Sequence, residues 1–408
     1  MSSPASSPQA RAFWPLLALA AGAFGIGTTE FGPMGLLPQI AEGVSVSIPA
    51  AGMLVSAYAL GVMIGAPLMT LALSHWPRRR ALILLMAIFT LGNALSALAP
   101  GYLPLLLARL VTSLNHGAFF GLGPLLAASL VPPNRQASAV AAMFLGLTIA
   151  NIGGVPAAAW LGQTLGWRLS FAATAGLGLL AMAGLRLALP PGQAGARPQV
   201  RAELAVLRQP AVLLALATTV LSAGATFALY TYIAPLLAAL TGASAGFVTA
   251  MLVLIGLGFT LGNVLGGRLA DRSLRQSLLV FVGLLMIMML LFPWLAGTPL
   301  GAGLGLLIWG MAAFGVVPPL QMQVMRAASG APGLASSVNV GAFNLGNALG
   351  AAAGGAVLSA GLGYAAVPLA GAGLALTALL LVLLGSPRRA AGHGQPAPLA
   401  SQHVCQAE

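Results

Sequence analysis

Long apolar stretches follow one another from near the start of the chain to about Leu384, and most of the charge lies in the short loops between them. Each stretch can cross about 30 Å of hydrocarbon at a rise of about 1.5 Å per residue. A backbone in lipid must satisfy its own polar groups, which leaves only helices or closed barrels. Barrel strands alternate apolar and polar residues over about ten positions, and that alternation is absent. The chain is therefore predicted to be an all-α integral membrane protein. With 59% hydrophobic and 5% charged residues and a mean hydropathy of +0.97, it has too few charges to cover a soluble domain of 408 residues.

The apolar segments divide into about twelve spans, at roughly 13–37, 49–73, 81–99, 103–129, 136–160, 168–189, 211–239, 245–268, 277–296, 300–325, 333–358 and 363–385. The first lacks a small-residue cleavage site ahead of a soluble domain, so it reads as a retained span rather than a signal peptide. The net charge of +12 comes from 17 basic residues, all arginine. Nucleic-acid binding would gather them in one patch, whereas here they are spread over the loops. Arg168 alone falls on one side and Arg109 alone within a span; the rest lie on the other side. The positive-inside bias then places both termini in the cytoplasm. Arginine without lysine fits a high-GC bacterial coding bias, hence a bacterial inner membrane. The single cysteine, Cys405, excludes an internal disulfide or a cysteine metal cluster. No cofactor or metal is expected.

Residues 190–210 interrupt the apolar pattern with Pro190, Pro191, Pro198 and Pro210 among Arg197, Arg201, Glu203 and Arg208. This predicts a tail at 1–12, a six-helix half at 13–189, a central cytoplasmic loop at 190–210 and a second six-helix half at 211–385. A disordered tail is expected at 386–408. The halves echo each other. The pattern from Gly65 to Arg78 recurs from Gly262 to Arg275, and Ala137-Ser138-Ala139-Val140 recurs as Ala335-Ser336-Ser337-Val338. Parallel six-span repeats predict a transporter, a monomer with its substrate near the midplane between the halves. No second buried carboxylate, metal cluster or phosphate loop suggests an enzyme.

Of the five acidic residues, only Glu30 lies inside an apolar span. An ionisable group there is costly and marks a functional site. Glu30 lies about 10 Å below the outer end of span one, and Arg109 about 9 Å below the start of span four. Shared depth makes a facing pair the least costly arrangement. Three roles stay open for Glu30: proton carrier, ligand for a substrate, or partner in a structural ion pair. His116 lies seven residues below Arg109 on the same face and is either a proton relay or a neutral histidine bonded between helices. Asn151, Asn344 and Asn347, with Tyr230 and Tyr232, are candidates to line the cavity or to glue helices together. Gly146, Gly153 and Pro156 let span five pack closely and bend. Asp271 can pair with Arg272, Arg268 or a helix N-terminus.

Several segments resemble the major facilitator superfamily, and within it the twelve-span drug:proton antiporters of the arabinose-efflux-permease-like branch. They are Thr28-Thr29-Glu30-Phe31 with Gly35-Leu36-Leu37-Pro38, Arg109 with His116-Gly117-Ala118-Phe119-Phe120-Gly121, Gly146 to Asn151 with Gly153 and Val155-Pro156, Tyr230 to Pro235, and Gly267-Arg268-Leu269-Ala270-Asp271-Arg272. In the matching loop of the first half, Ser74 and His75 stand where the family pattern has Asp and Arg. The resemblance implies export of a small organic molecule in exchange for protons by alternating access. It implies Glu30 and Arg109 in proton coupling, span five in sealing the path, and Asp271 with Arg272 in a conformational latch. A proton-independent facilitator or a proton-coupled importer of the same fold is the alternative.

Overall fold

The computed structural model describes residues 8–46, 48–192 and 200–385. The expected tail at 386–408 and Arg197 lie outside them. Span one is the helix Pro8–Phe31, followed by a 3-10 turn Gly32–Leu36 and a helix Leu37–Gly43. Its helix starts within the expected tail and stops one residue after Glu30, because the Gly32-Pro33 pair cannot continue it. Spans two, three and four are Ile48–Leu73, Arg78–Leu98 and Tyr102–Ser129. Span five begins as Gln136–Ile149, passes through a π-helical turn Ala150–Gly154 and resumes as Val155–Leu165; span six is Trp167–Ala188. The linking segment, expected to be a loop throughout, contains a helix, Val200–Leu207. Span seven, Pro210–Tyr230, breaks before Ile233–Thr241, much as span one breaks after Glu30. Spans eight to twelve are Ala245–Arg272, Leu274–Leu295, Pro299–Gly315 with Val317–Ala327, Pro332–Ser359 and Val367–Leu384.

Local chemistry explains many of these boundaries. Spans seven, ten and eleven open on Pro in the first turn, where the missing N–H costs nothing. Ser244, Ser273 and Thr298 accept N–H bonds from Phe247, Gln276 and Gly301 and so cap spans eight, nine and ten. Gly166 (φ 97°) and Gly242 (φ 64°) take left-handed geometry at the turns before spans six and eight. At the arginine-rich end, Arg79 donates to the Leu189 carbonyl (3.0 Å) and Arg275 to that of Leu383 (3.3 Å), satisfying orphan carbonyls where spans six and twelve end.

Among the described residues, eleven helices are long and apolar enough to cross a membrane by length and composition. The remaining expected span, span eleven (Pro332–Ser359), is long enough at 28 residues but rich in Gly, Ala, Ser and Asn, and it falls short on hydropathy. Its place in the bundle explains this. It packs against spans two, four, seven, ten and twelve, so little of it needs to face lipid.

The packing repeats between halves. Spans one and five pack together as do seven and eleven, two and four as do eight and ten, and three and six as do nine and twelve. The contacts across the halves obey the same relation: span eleven meets spans two and four, while span five meets spans eight and ten. Small residues permit this closeness. A Cβ on Gly117 would collide with Ala66, one on Gly146 with the carbonyl of Ala20, and one on Gly350 with that of Gly224.

The hydrogen bonds joining the halves gather at the arginine-rich end. Thr70 pairs with Ser337, Ser336 donates to the Phe120 carbonyl (3.1 Å) and Asn263 donates to that of Ala141 (2.7 Å). Asp271 accepts from the Ala137 and Ser138 amides at 2.7 and 3.0 Å.

Candidate functional site

Above this seal, between the halves, lies a cavity lined by residues of both halves and open in part to its surroundings. Its walls differ in chemistry. The first half contributes Glu30, His116 and Asn151 together with Phe31, Phe120 and Phe144. The second contributes no charged residue among those described: its polar groups are Ser222, Thr226, Gln321, Asn344 and Asn347 beside Phe227, Tyr230, Phe259 and Phe314. Tyr230 stacks on the buried Trp309 (centroids 6.2 Å, 25°), and Phe259 stacks on Phe314 (4.0 Å, 23°). These pairs form a rigid aromatic wall.

Glu30 and Arg109 do not form the direct pair expected from their depths. Instead the Glu30 carboxyl faces the His116 ring, with Nδ1 at 4.0 Å from Oε2. Arg109, 1% exposed, donates through Nη1 to Thr29 Oγ1 (3.2 Å), and Thr29 donates to Asn93 Oδ1 (2.6 Å). Its guanidinium lies over the Tyr58 ring at 4.2 Å and within 5.8 Å of Phe171. The Tyr58 hydroxyl is 3.1 Å from His116 Nδ1. Tyr58 thus stands between the two charges, and Arg109 keeps Nε and Nη2 buried without a hydrogen-bond partner. The backbone explains the arrangement. Glu30 lies in the last turn of the first helix with its side chain on the cavity, while Thr29 faces the bundle core at 2% exposed.

Asn151 sits in the π turn and donates to the Leu147 carbonyl (3.0 Å); Asn344 donates to that of Val340 (2.9 Å); with Asn347, both line the cavity. Tyr232 does not line it. Its hydroxyl donates to the Ala351 carbonyl (2.8 Å) and ties span seven to span eleven. Gly146 is where span five meets span one, a Cβ on Gly153 would meet open space, and Pro156 restarts the helix after the π turn. Asp271 occupies the N-terminus of span five and forms no ion pair among the described residues; the neighbouring Arg272 is the last residue of span eight. Tyr58, Thr29, Asn93 and Gln321 were missed in the sequence. For Tyr58 a signal existed, a lone tyrosine deep in an apolar span; for the others, in-span polar residues are too common to single out.

Two repeated six-helix halves around a central cavity define a membrane transporter. The model of the Major Facilitator Superfamily matches residues 19–339, and the chain belongs to that family. It is 68% identical over 376 residues to the inner membrane transport protein YdhP of Escherichia coli K12, covering 92% of this chain and 97% of that one. It is 37% identical to the putative transporter AraJ of the same strain (90% and 94% covered), and 36% identical to a chloramphenicol resistance protein of Streptomyces lividans (90% and 95%). Among solved structures, its fold is similar to the human organic anion transporter MFSD10 (TM-score 0.74, 18% identity, 93% and 100% covered). It is also similar to FucP in the outward conformation (TM-score 0.73, 17% identity, 92% and 99% covered).

Proposed function

We propose that the protein exports a small organic molecule in exchange for protons by alternating access. In this reading it is a monomer in a bacterial inner membrane, with both termini in the cytoplasm. The observation that carries the reading is the placement of Glu30, a carboxyl on the cavity wall among apolar helices, opposite a wall without charge. Such a carboxyl can bind and release a proton within reach of the substrate site. Arg109, with two buried donors lacking partners, gives the ionised carboxylate a place to turn when the halves move. The uncharged second wall, rich in rings, amides and hydroxyls, suits a neutral or weakly polar molecule with an aromatic or planar face. The seal at the arginine-rich end supports a cavity accessible from the opposite side in this state.

Glu30→Gln tests the coupling. Everted vesicles from a pump-deficient bacterial host are screened against a panel of toxic compounds, with chloramphenicol as first probe because of the relative so named. The variant is expected to lose accumulation driven by a pH gradient while keeping downhill exchange. Gradient-driven accumulation that survives Glu30→Gln sinks proton coupling. A panel in which no compound changes host susceptibility counts against export of toxic molecules.

A further inference from the structure

Tyr58 belongs to no helix end, lies behind the cavity wall and is 2% exposed, yet it touches both ionisable groups of span four. Its ring supports the Arg109 guanidinium, and its hydroxyl reaches Nδ1 of His116, the same nitrogen that faces Glu30. A ring nitrogen offers either one lone pair or one N–H, so these neighbours cannot use it independently. The charged and titratable groups around Tyr58 are Glu30 of span one and Arg109 and His116 of span four. Span eleven, the helix packed against span two from the other half, brings neutral Val340, Phe343 and Asn344 to the cavity.

We propose that Tyr58 is a positioning residue of the proton site: its O–H donates to Nδ1 of His116 and holds the imidazole in the tautomer with hydrogen on Nε2. This rests on the proton-coupled reading of Glu30. A phenol hydroxyl that donates to Nδ1 fixes that nitrogen as an acceptor. With its one lone pair taken by the Tyr58 hydroxyl, Nδ1 has no N–H for a Glu30 carboxylate and no free lone pair for the acid. Without the hydroxyl, the ring is free to carry its hydrogen on Nδ1 and bond the carboxylate instead. Tyr58 therefore decides whether Nδ1 is withheld from Glu30 or offered to it as a donor. Through the same ring it links that choice to Arg109.

The substitution Tyr58→Phe separates the two contacts, keeping the ring beneath Arg109 and removing only the hydroxyl. Full-length protein with ¹⁵N-labelled histidine, reconstituted in lipid nanodiscs, is titrated from mildly acid to mildly alkaline pH without any transported compound. His116→Gln identifies the His116 signals. Proton uptake by the unlabelled protein is followed over the same range. Tyr102→Phe, which removes a tyrosine bond to the Ala50 carbonyl (2.9 Å) far along the chain, is the control. The expected result is a wild-type His116 signal of the Nε2–H form, a gain of the Nδ1–H form in Tyr58→Phe with a displaced uptake profile, and no change in the control. A Tyr58→Phe spectrum and profile matching wild type overturns the proposal, as does an equal change in Tyr102→Phe. Glu30→Gln in the same titration separates the parent reading: if proton uptake is unaltered by it, Glu30 is not the proton carrier, whatever Tyr58 does.

Discussion

Arg109 shows what a single buried charge asks of its surroundings. Its guanidinium is stacked on Tyr58 and bonded to Thr29, which passes the contact on to Asn93. A planar, weakly hydrated cation suits that slot, and a lysine ammonium does not: it cannot stack and carries a tighter hydration shell. Arg109→Lys is therefore expected to lower stability by about 1–3 kcal/mol although charge is conserved, read as a fall in melting temperature of the purified protein. A melting temperature equal to wild type would mean that charge alone holds the site. Rise per residue gave Glu30 and Arg109 similar heights in their helices, but the direct pair expected from those heights does not form. Direction around the axis was not legible. The helix break at Gly32-Pro33 and the tyrosine inserted from span two decide it, and neither follows from counting residues along one span.

At the level of helices and loops, the repeat is imperfect in one instructive place. In the second half, Asp271 spans the two amides that open span five. The internal repeat places Ser74 at the corresponding point of the first half, and there the N-terminus of span eleven borders a second, partly open hollow lined also by Arg78 and Glu203. One side of the seal thus holds a charge-assisted cap and the other holds space. Asp271→Asn removes the charge but not the shape, and a lost cap of this kind costs about 1 kcal/mol, a several-fold change in a two-state population. Ser74→Asp is expected to act oppositely and favour the sealed arrangement. Both are measured by disulfide formation between Thr70→Cys and Ser337→Cys in a Cys405→Ser background, falling with the first and rising with the second. Equal cross-linking in all three backgrounds would leave the cap without influence on the seal. The linking helix Val200–Leu207, which brings Glu203 to this hollow, escaped detection because its short amphipathic pattern sits among prolines that read as a loop.

At the scale of the whole molecule, an all-helical membrane chain with a transporter fold was readable from hydropathy, arginine placement and the repeat. Those signals report lipid contact and chain geometry, which sequence carries directly. Tyr232 shows the limit. It is polar and within a span, the pattern of a cavity residue, yet its hydroxyl is spent on the Ala351 carbonyl, because only three-dimensional packing tells which side of span seven faces span eleven. Span eleven itself, the helix too poor in apolar side chains to qualify by hydropathy, carries a consequence for biogenesis. The translocon releases segments into lipid according to their own transfer free energy. A Pro332–Ser359 segment placed alone in a glycosylation-mapping reporter is expected to insert in only a minority of chains, and its efficiency should rise when the preceding span, Pro299–Ala327, is synthesised with it. Efficient insertion of the lone segment would refute this. Until span eleven is sheltered by its neighbours, the second wall of the cavity lacks Val340, Phe343, Asn344 and Asn347.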